Sequence, residues 1–188
     1  MRINRTLVLP ALLAAVFGVA CSQQRAGTPD VAGIVKDALK AHNLTDVKVS
    51  EDREKGVVTI SGDVRSGQEK ADAEALARQN ANGLIVANEI GVRPEGAESA
   101  AKEVDKNLDK GIEDNYRAAL IANGMDNQHI HFTSTNGVIT LKGDVDTPSQ
   151  RGAAERMAAK IPNVAQVVNE IQVKGAGRSS YRPAASGE

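Results

Sequence analysis

One cysteine, no tryptophan, two tyrosines and two phenylalanines in 188 residues close off several functions before any motif is sought. A single thiol forms no internal disulfide, so no covalent staple holds this fold. Aromatic content of 2% leaves little for a base-stacking platform or a sugar-binding cleft. A basic excess is missing as well. The formal net charge is −1, and residues 31–92 and 112–173 each carry −2. Neither stretch resembles a phosphate-neutralising surface, so nucleic acid is not an expected partner. After the first twenty residues there is no long apolar run, and no Gly-x-Ser-x-Gly motif occurs anywhere.

What is present is written twice. Gly56-Val57-Val58-Thr59-Ile60-Ser61-Gly62-Asp63-Val64 recurs as Gly137-Val138-Ile139-Thr140-Leu141-Lys142-Gly143-Asp144-Val145. The offset of 81 then runs without a gap to Val92 and Val173, carrying Ala73/Ala154, Glu74/Glu155, Ala77/Ala158, Asn82/Asn163, Asn88/Asn169 and Ile90/Ile171. Self-similarity of this kind marks a duplicated folding unit. Units of about 60 residues bury only about 60% of their unfolded surface, so the two repeats are expected to lean on each other.

The first residues read as an export signal. Arg2 and Arg5 precede an apolar run from Thr6 to Ala20 that contains Pro10 and is too short for a permanent transmembrane helix. Cys21 sits where such a signal is cleaved, after Phe17-Gly18-Val19-Ala20. That stretch resembles a bacterial lipobox, with Gly18 in place of the usual leucine, and makes Cys21 the expected acylation site. Ordinary signal-peptidase cleavage after Gly18-Val19-Ala20 is the alternative. Ser22 rather than aspartate follows the cysteine, which resembles the outer-membrane-directed class of such lipoproteins. The organisation expected is a signal at 1–20, a polar tether at 21–29, a first domain at 30–93, a linker at 94–103, a second domain at 104–174 and a disordered tail at 175–188.

Within each repeat the patterning spells helix, hairpin, helix, strand. Asp30 opens a helix with Val31, Val35 and Leu39 at helical spacing, and Asn43 ends it. Val47 and Val49 alternate with polar residues before the charged turn Glu51 to Gly56. Ser66-Gly67-Gln68-Glu69 and Thr147-Pro148-Ser149-Gln150 are capping boxes. Asn82 and Asn163 precede the last strand, where asparagine tolerates positive φ. The fold class is therefore α+β: two tandem αββαβ units, each a small mixed three-stranded sheet covered by two helices. Between them, Val104, Leu108, Ile112, Tyr116 and Leu120 form the expected inner stripe of a long helix, with Asp105, Lys106, Asp109 and Lys110 facing water and Gly111 a kink.

This pattern, ending in Val86-Ala87-Asn88-Glu89-Ile90-Gly91-Val92 and its second copy, resembles the BON domain, a bacterial module of osmotically induced periplasmic proteins. The resemblance covers about two thirds of the chain and departs from the family pattern at Asn82 and Asn163, where many members have glycine. It implies an envelope protein that contacts phospholipid and supports membrane integrity, similar in plan to outer-membrane lipoproteins with two such domains.

Little else speaks for chemistry. His129 and His131 would project from one face of a strand, near Asp126, but no third ligand is evident, so no metal and no cofactor are expected. Asp63 and Asp144 each follow a glycine at a strand end and are read as turn residues. On the first helix of each repeat, Lys36 and Lys40 correspond to Arg117 and Ile121. An isoleucine beside a cation on an outer face is a candidate membrane or partner contact, unless Ile121 packs on the other repeat. The expected function is non-enzymatic: an exported lipoprotein of the outer membrane, facing the periplasm and binding a phospholipid surface. The alternative is an adaptor that binds an envelope protein through its sheet edges or inter-repeat groove, with lipid only as tether.

Overall fold

A computed structural model describes residues 30–126 and 128–174. The expected signal, Cys21 with its tether, and the tail 175–188 lie outside them. The first repeat comprises α1 (Val31–Ala41), β1 (Lys48–Asp52), β2 (Val57–Val64), α2 (Gly67–Asn80) and β3 (Ile85–Val92). The second comprises α3 (Glu98–Ala122), β4 (His129–Thr135), β5 (Val138–Val145), α4 (Pro148–Ala158), β6 (Gln166–Asn169) and β7 (Gln172–Val173). In each, an antiparallel hairpin is extended by a strand parallel to its second member, reached through the intervening helix. The mixed three-stranded sheet under two helices is thus built twice. In the second copy its last strand is split into β6 and β7, both paired with β5.

Local chemistry sets the ends of these elements. Asp30 Oδ1 accepts from the Gly33 amide at 3.1 Å. Thr147 and Gln150 form a reciprocal capping box, with Pro148 in the first turn, where its missing N–H leaves no bond unmade. Ser66 accepts from the Glu69 amide, but Glu69 reaches past the cap to the Arg65 amide at 2.8 Å. Asn82 and Asn163 have φ of 49° and 67°. Gly62 and Gly143 are also left-handed, at φ 117° and 111°. A Cβ at Gly62 would lie 2.5 Å from the Asp46 carbonyl oxygen, and one at Gly143 would overlap that of His129.

Each repeat has its own core. Val31, Val35, Leu39, Val58, Ile60, Ala73, Ala77 and Ile90 fill the first; Ile112, Tyr116, Leu120, Ile139, Leu141, Ala154, Ala158 and Ile171 fill the second. The alanines bring helix and sheet together, as their spacing predicts. A polar brace is duplicated with them. Asn88 Nδ2 donates to Glu74 Oε2 at 2.9 Å while Asn88 Oδ1 accepts from the Ile90 amide, and Asn169, Glu155 and Ile171 repeat the arrangement. The second core adds Tyr116, whose hydroxyl donates to the Ala154 carbonyl and whose ring meets Phe132 edge-on at 4.9 Å. Burial pushes its phenol pKa upward.

Two expectations are corrected. The offset of 81 does not hold through the hairpins. Lys48 faces Ser61 across the first hairpin, whereas His131, not His129, faces Lys142 across the second. The Asn136-Gly137 turn is two residues shorter than the Arg53 to Gly56 loop, and the segment between Met125 and Ile130 is longer by the same amount. Lys48 is therefore the structural counterpart of His131, and Ser50 of Thr133.

The second correction concerns α3, which runs unbroken through Gly111 and begins inside the expected linker 94–103. Only its C-terminal part follows the expected stripe. Ile112, Tyr116 and Leu120 are buried, but Val104 and Leu108 are 57% and 42% exposed. Asp105 and Asp109 turn inward instead, because this end of the helix projects past its own sheet toward polar partners in the first repeat and the β4–β5 turn.

The repeats do pack together. Val57, Ala87, Val138 and Val168 form a third buried cluster, built from the sheet faces that the helices leave uncovered. These are two equivalent pairs, so the contact has approximate internal symmetry. Gln166 breaks that symmetry: its side chain accepts from the Asn88 amide at 3.2 Å and donates to the Val86 carbonyl at 2.6 Å, covering polar backbone of β3. Its counterpart Ile85 stays 47% exposed.

Candidate functional site

The largest concavity lies at the junction of the repeats, a groove of about 540 Å³. Its floor is the end of β2 with Glu89 of β3, one wall is the first half of α3, and the other is the β4–β5 turn. Arg93, in the segment read from sequence only as a break, ties these together. Its side chain is one-tenth exposed; Nη1 donates to Asp105 and to the Val92 carbonyl, and Nη2 donates to Asn136 Oδ1 at 3.4 Å. Nε faces Asp63 Oδ1 at 3.2 Å as an ion pair without hydrogen-bond alignment. Asp63 therefore serves the inter-repeat contact rather than only its own turn.

Asp109 and Glu113 hold the opposite wall. Asp109 accepts from Ser134 Oγ and from the Asn136 and Gly137 amides at 2.7–2.9 Å, and Glu113 accepts from the Ser134 amide at 2.9 Å. Asn136 in turn donates to the Glu89 carbonyl at 2.8 Å. The sequence signal for this wall is a four-residue period, Lys102-x-x-Asp105, Lys106-x-x-Asp109, Lys110-x-x-Glu113, which the helical stripe alone did not reveal. The acidic members are occupied by Arg93 or backbone amides. Lys102, Lys106 and Lys110 line the groove and are exposed.

Glu89 differs from its counterpart. Glu170 pairs with Lys142 at 3.5 Å across the outer sheet face, but Ser61 stands opposite Glu89. Burial raises the Glu89 carboxyl above its ordinary value; Lys142 opposes that shift, while Asp109 and Glu170 add to it. Burial likewise lowers the Lys70 ammonium, against the pull of Asp105 and Glu74.

The outer face of α3 carries the residues singled out from sequence. Ile121 is 59% exposed and so does not pack on the other repeat. Arg117, one turn earlier, pairs with Asp114 at 3.1 Å and lies over the Phe132 ring at 5.5 Å. These two residues are remote in role from the groove, which their helix walls with its other end. His129 and His131 are both exposed, opposite Asp144 and Lys142 in the β4–β5 register. Among the described residues no three His, Cys, Asp or Glu side chains gather as a metal site. No helix of the described residues is long and apolar enough to cross a membrane. Cys21 lies outside them.

Comparison with known proteins agrees with this architecture. The chain is 30% identical over 144 residues to osmotically-inducible protein Y of Escherichia coli strain K12, covering 74% of this chain and 69% of that protein. Two solved structures of CdsD, a structural protein of the type III secretion system of Chlamydia trachomatis, align over 78% and 77% of this chain and 98% and 92% of theirs. Their TM-scores of 0.31 and 0.32, at 12% identity, are too low to bear on the arrangement of the repeats. The BON domain matches twice, at residues 28–94 and 108–175, and the chain belongs to the BON domain family.

Proposed function

We propose that this is a non-enzymatic protein of the bacterial envelope, anchored through Cys21 in the outer membrane, whose second repeat touches phospholipid and which supports membrane integrity under osmotic stress. The observation that carries the reading is the exposure of Ile121 beside Arg117 on the outer face of α3, where the first repeat has Lys40 and Lys36. An exposed apolar side chain with a neighbouring cation suits the boundary between headgroups and acyl chains. The likeness to osmotically-inducible protein Y supports the stress setting. Acylation would supply most of the membrane affinity, at about 0.8 kcal/mol per buried CH₂. With an acidic balance in each repeat, contact by the protein surface is local and weak.

The test is co-sedimentation of the exported chain carrying Cys21→Ser with phosphatidylglycerol vesicles, compared with the same chain carrying Ile121→Asp as well. The reading expects binding by the first and loss of binding by the second, with unchanged circular dichroism. Equal binding by both would remove the α3 contact.

A further inference from the structure

The groove walled by α3 combines two features that the membrane reading does not use. Lys102, Lys106 and Lys110 project into it and make no ion pair or hydrogen bond among the described residues. Each has an acidic residue three positions on, the ordinary partner on a helix surface. That partner has been drawn away: Asp105 to Arg93, Asp109 to the Asn136-Gly137 turn, Glu113 to the Ser134 amide. The chain has thus built a ladder of three uncompensated ammonium groups into its largest concavity, although each repeat is acidic overall.

We propose that this groove binds an extended acidic peptide segment of a protein partner, with carboxylates at alternate residues meeting Lys102, Lys106 and Lys110. Spacing supports a strand-like occupant. Four residues of helix rise about 6 Å, and two residues of extended chain advance about 6.7 Å, so every second side chain of the peptide meets the next lysine. Volume supports it too, since about 540 Å³ accommodates a short segment rather than a folded domain. Glu89 sets a limit on the floor. It has no ion-pair or hydrogen-bond partner for its carboxylate among the described residues and opposes a ligand of its own sign. The inference gives the adaptor expectation a definite surface. It is independent of lipid contact at Arg117 and Ile121, so either can fail without the other.

The experiment uses the full exported chain with Cys21→Ser and a fluorescent peptide alternating glutamate and serine, followed by anisotropy at low ionic strength. Binding is expected, weakening as salt is added. Lys106→Glu should weaken it by about fivefold or more, and Glu89→Gln should tighten it by about threefold, both estimates on the scale of single exposed charge contacts. A gain from Glu89→Gln is not produced by unfolding. A peptide of the same composition with its glutamates contiguous should bind less well. The proposal is overturned if the alternating peptide fails to bind, if Lys106→Glu leaves binding unchanged, or if Lys106→Glu abolishes binding to phosphatidylglycerol vesicles while the peptide shows none.

Discussion

Val57 and Val138 stand at equivalent places in the two repeats and are buried in one cluster, each 2% exposed. A residue and its own duplicate therefore meet across the centre of the molecule. With Ala87 and Val168 they close the sheet faces that the helices leave open, and this makes two marginal units one folded body.

Val138→Ala should accordingly destabilise both repeats. Loss of that buried side chain costs about 2 kcal/mol. Urea unfolding followed by hydrogen exchange should show reduced protection in β2 and β3 as well as in β5 and β6. A loss confined to the second repeat would contradict the shared cluster.

The duplicated asparagine brace should differ in weight between copies. Asn88 is 4% exposed, while the bonds of Asn169 lie at the surface. Asn88→Ala leaves the Ile90 amide and a Glu74 oxygen without their side-chain partner and should cost about 2 kcal/mol; Asn169→Ala should cost about 1 kcal/mol. Chemical denaturation of the two variants measures the difference.

Backbone conformation predicts a sharper contrast. Asn163→Gly should be tolerated at φ 67°, whereas Asn163→Ala should cost roughly 1 kcal/mol, the strain of a left-handed alanine. Gly143→Ala should be far worse, because its Cβ would occupy the space of the His129 carbonyl oxygen. Expression yield and thermal midpoint of the three variants give the ranking.

Glu89 gives a pH dependence of definite sign. Its carboxyl is raised above the ordinary value of 4.5 by burial. The folded chain holds that proton more tightly than the unfolded one, so the stability it contributes is complete below the unfolded value and is lost as pH rises through the folded value. Glu89→Gln should therefore raise the thermal midpoint near neutral pH, and the two midpoints should converge below about pH 4. A constant difference at all pH values would assign the effect to packing.

Much of the fold was legible because the repeat is literal. The αββαβ order, the Thr147 cap, the helix alanines and the positive φ of Asn82 and Asn163 all follow from local residue chemistry. The register of β4 was not legible, since a longer segment before Ile130 and a shorter turn at Asn136-Gly137 cancel in the overall offset. Nor was the orientation of the first half of α3. Val104 and Leu108 fit a helical stripe, but what a stripe faces depends on where the helix leaves its own sheet. Arg93 was hidden for a related reason: its partners Asp63, Asp105 and Asn136 come from both repeats and are distant in sequence. Ile121 was found because the copies differ there, and its exposure in the structure matches the outer face assigned to it.

The most direct test of the proposed membrane contact uses the absence of tryptophan from the chain. Ile121→Trp places a single reporter on the outer face of α3, and Lys40→Trp places one at the equivalent site of the first repeat. With Cys21→Ser in both and phosphatidylglycerol vesicles added, the account predicts a blue shift in emission from position 121 and none from position 40. No shift from position 121, or equal shifts from both, would contradict contact through the second repeat.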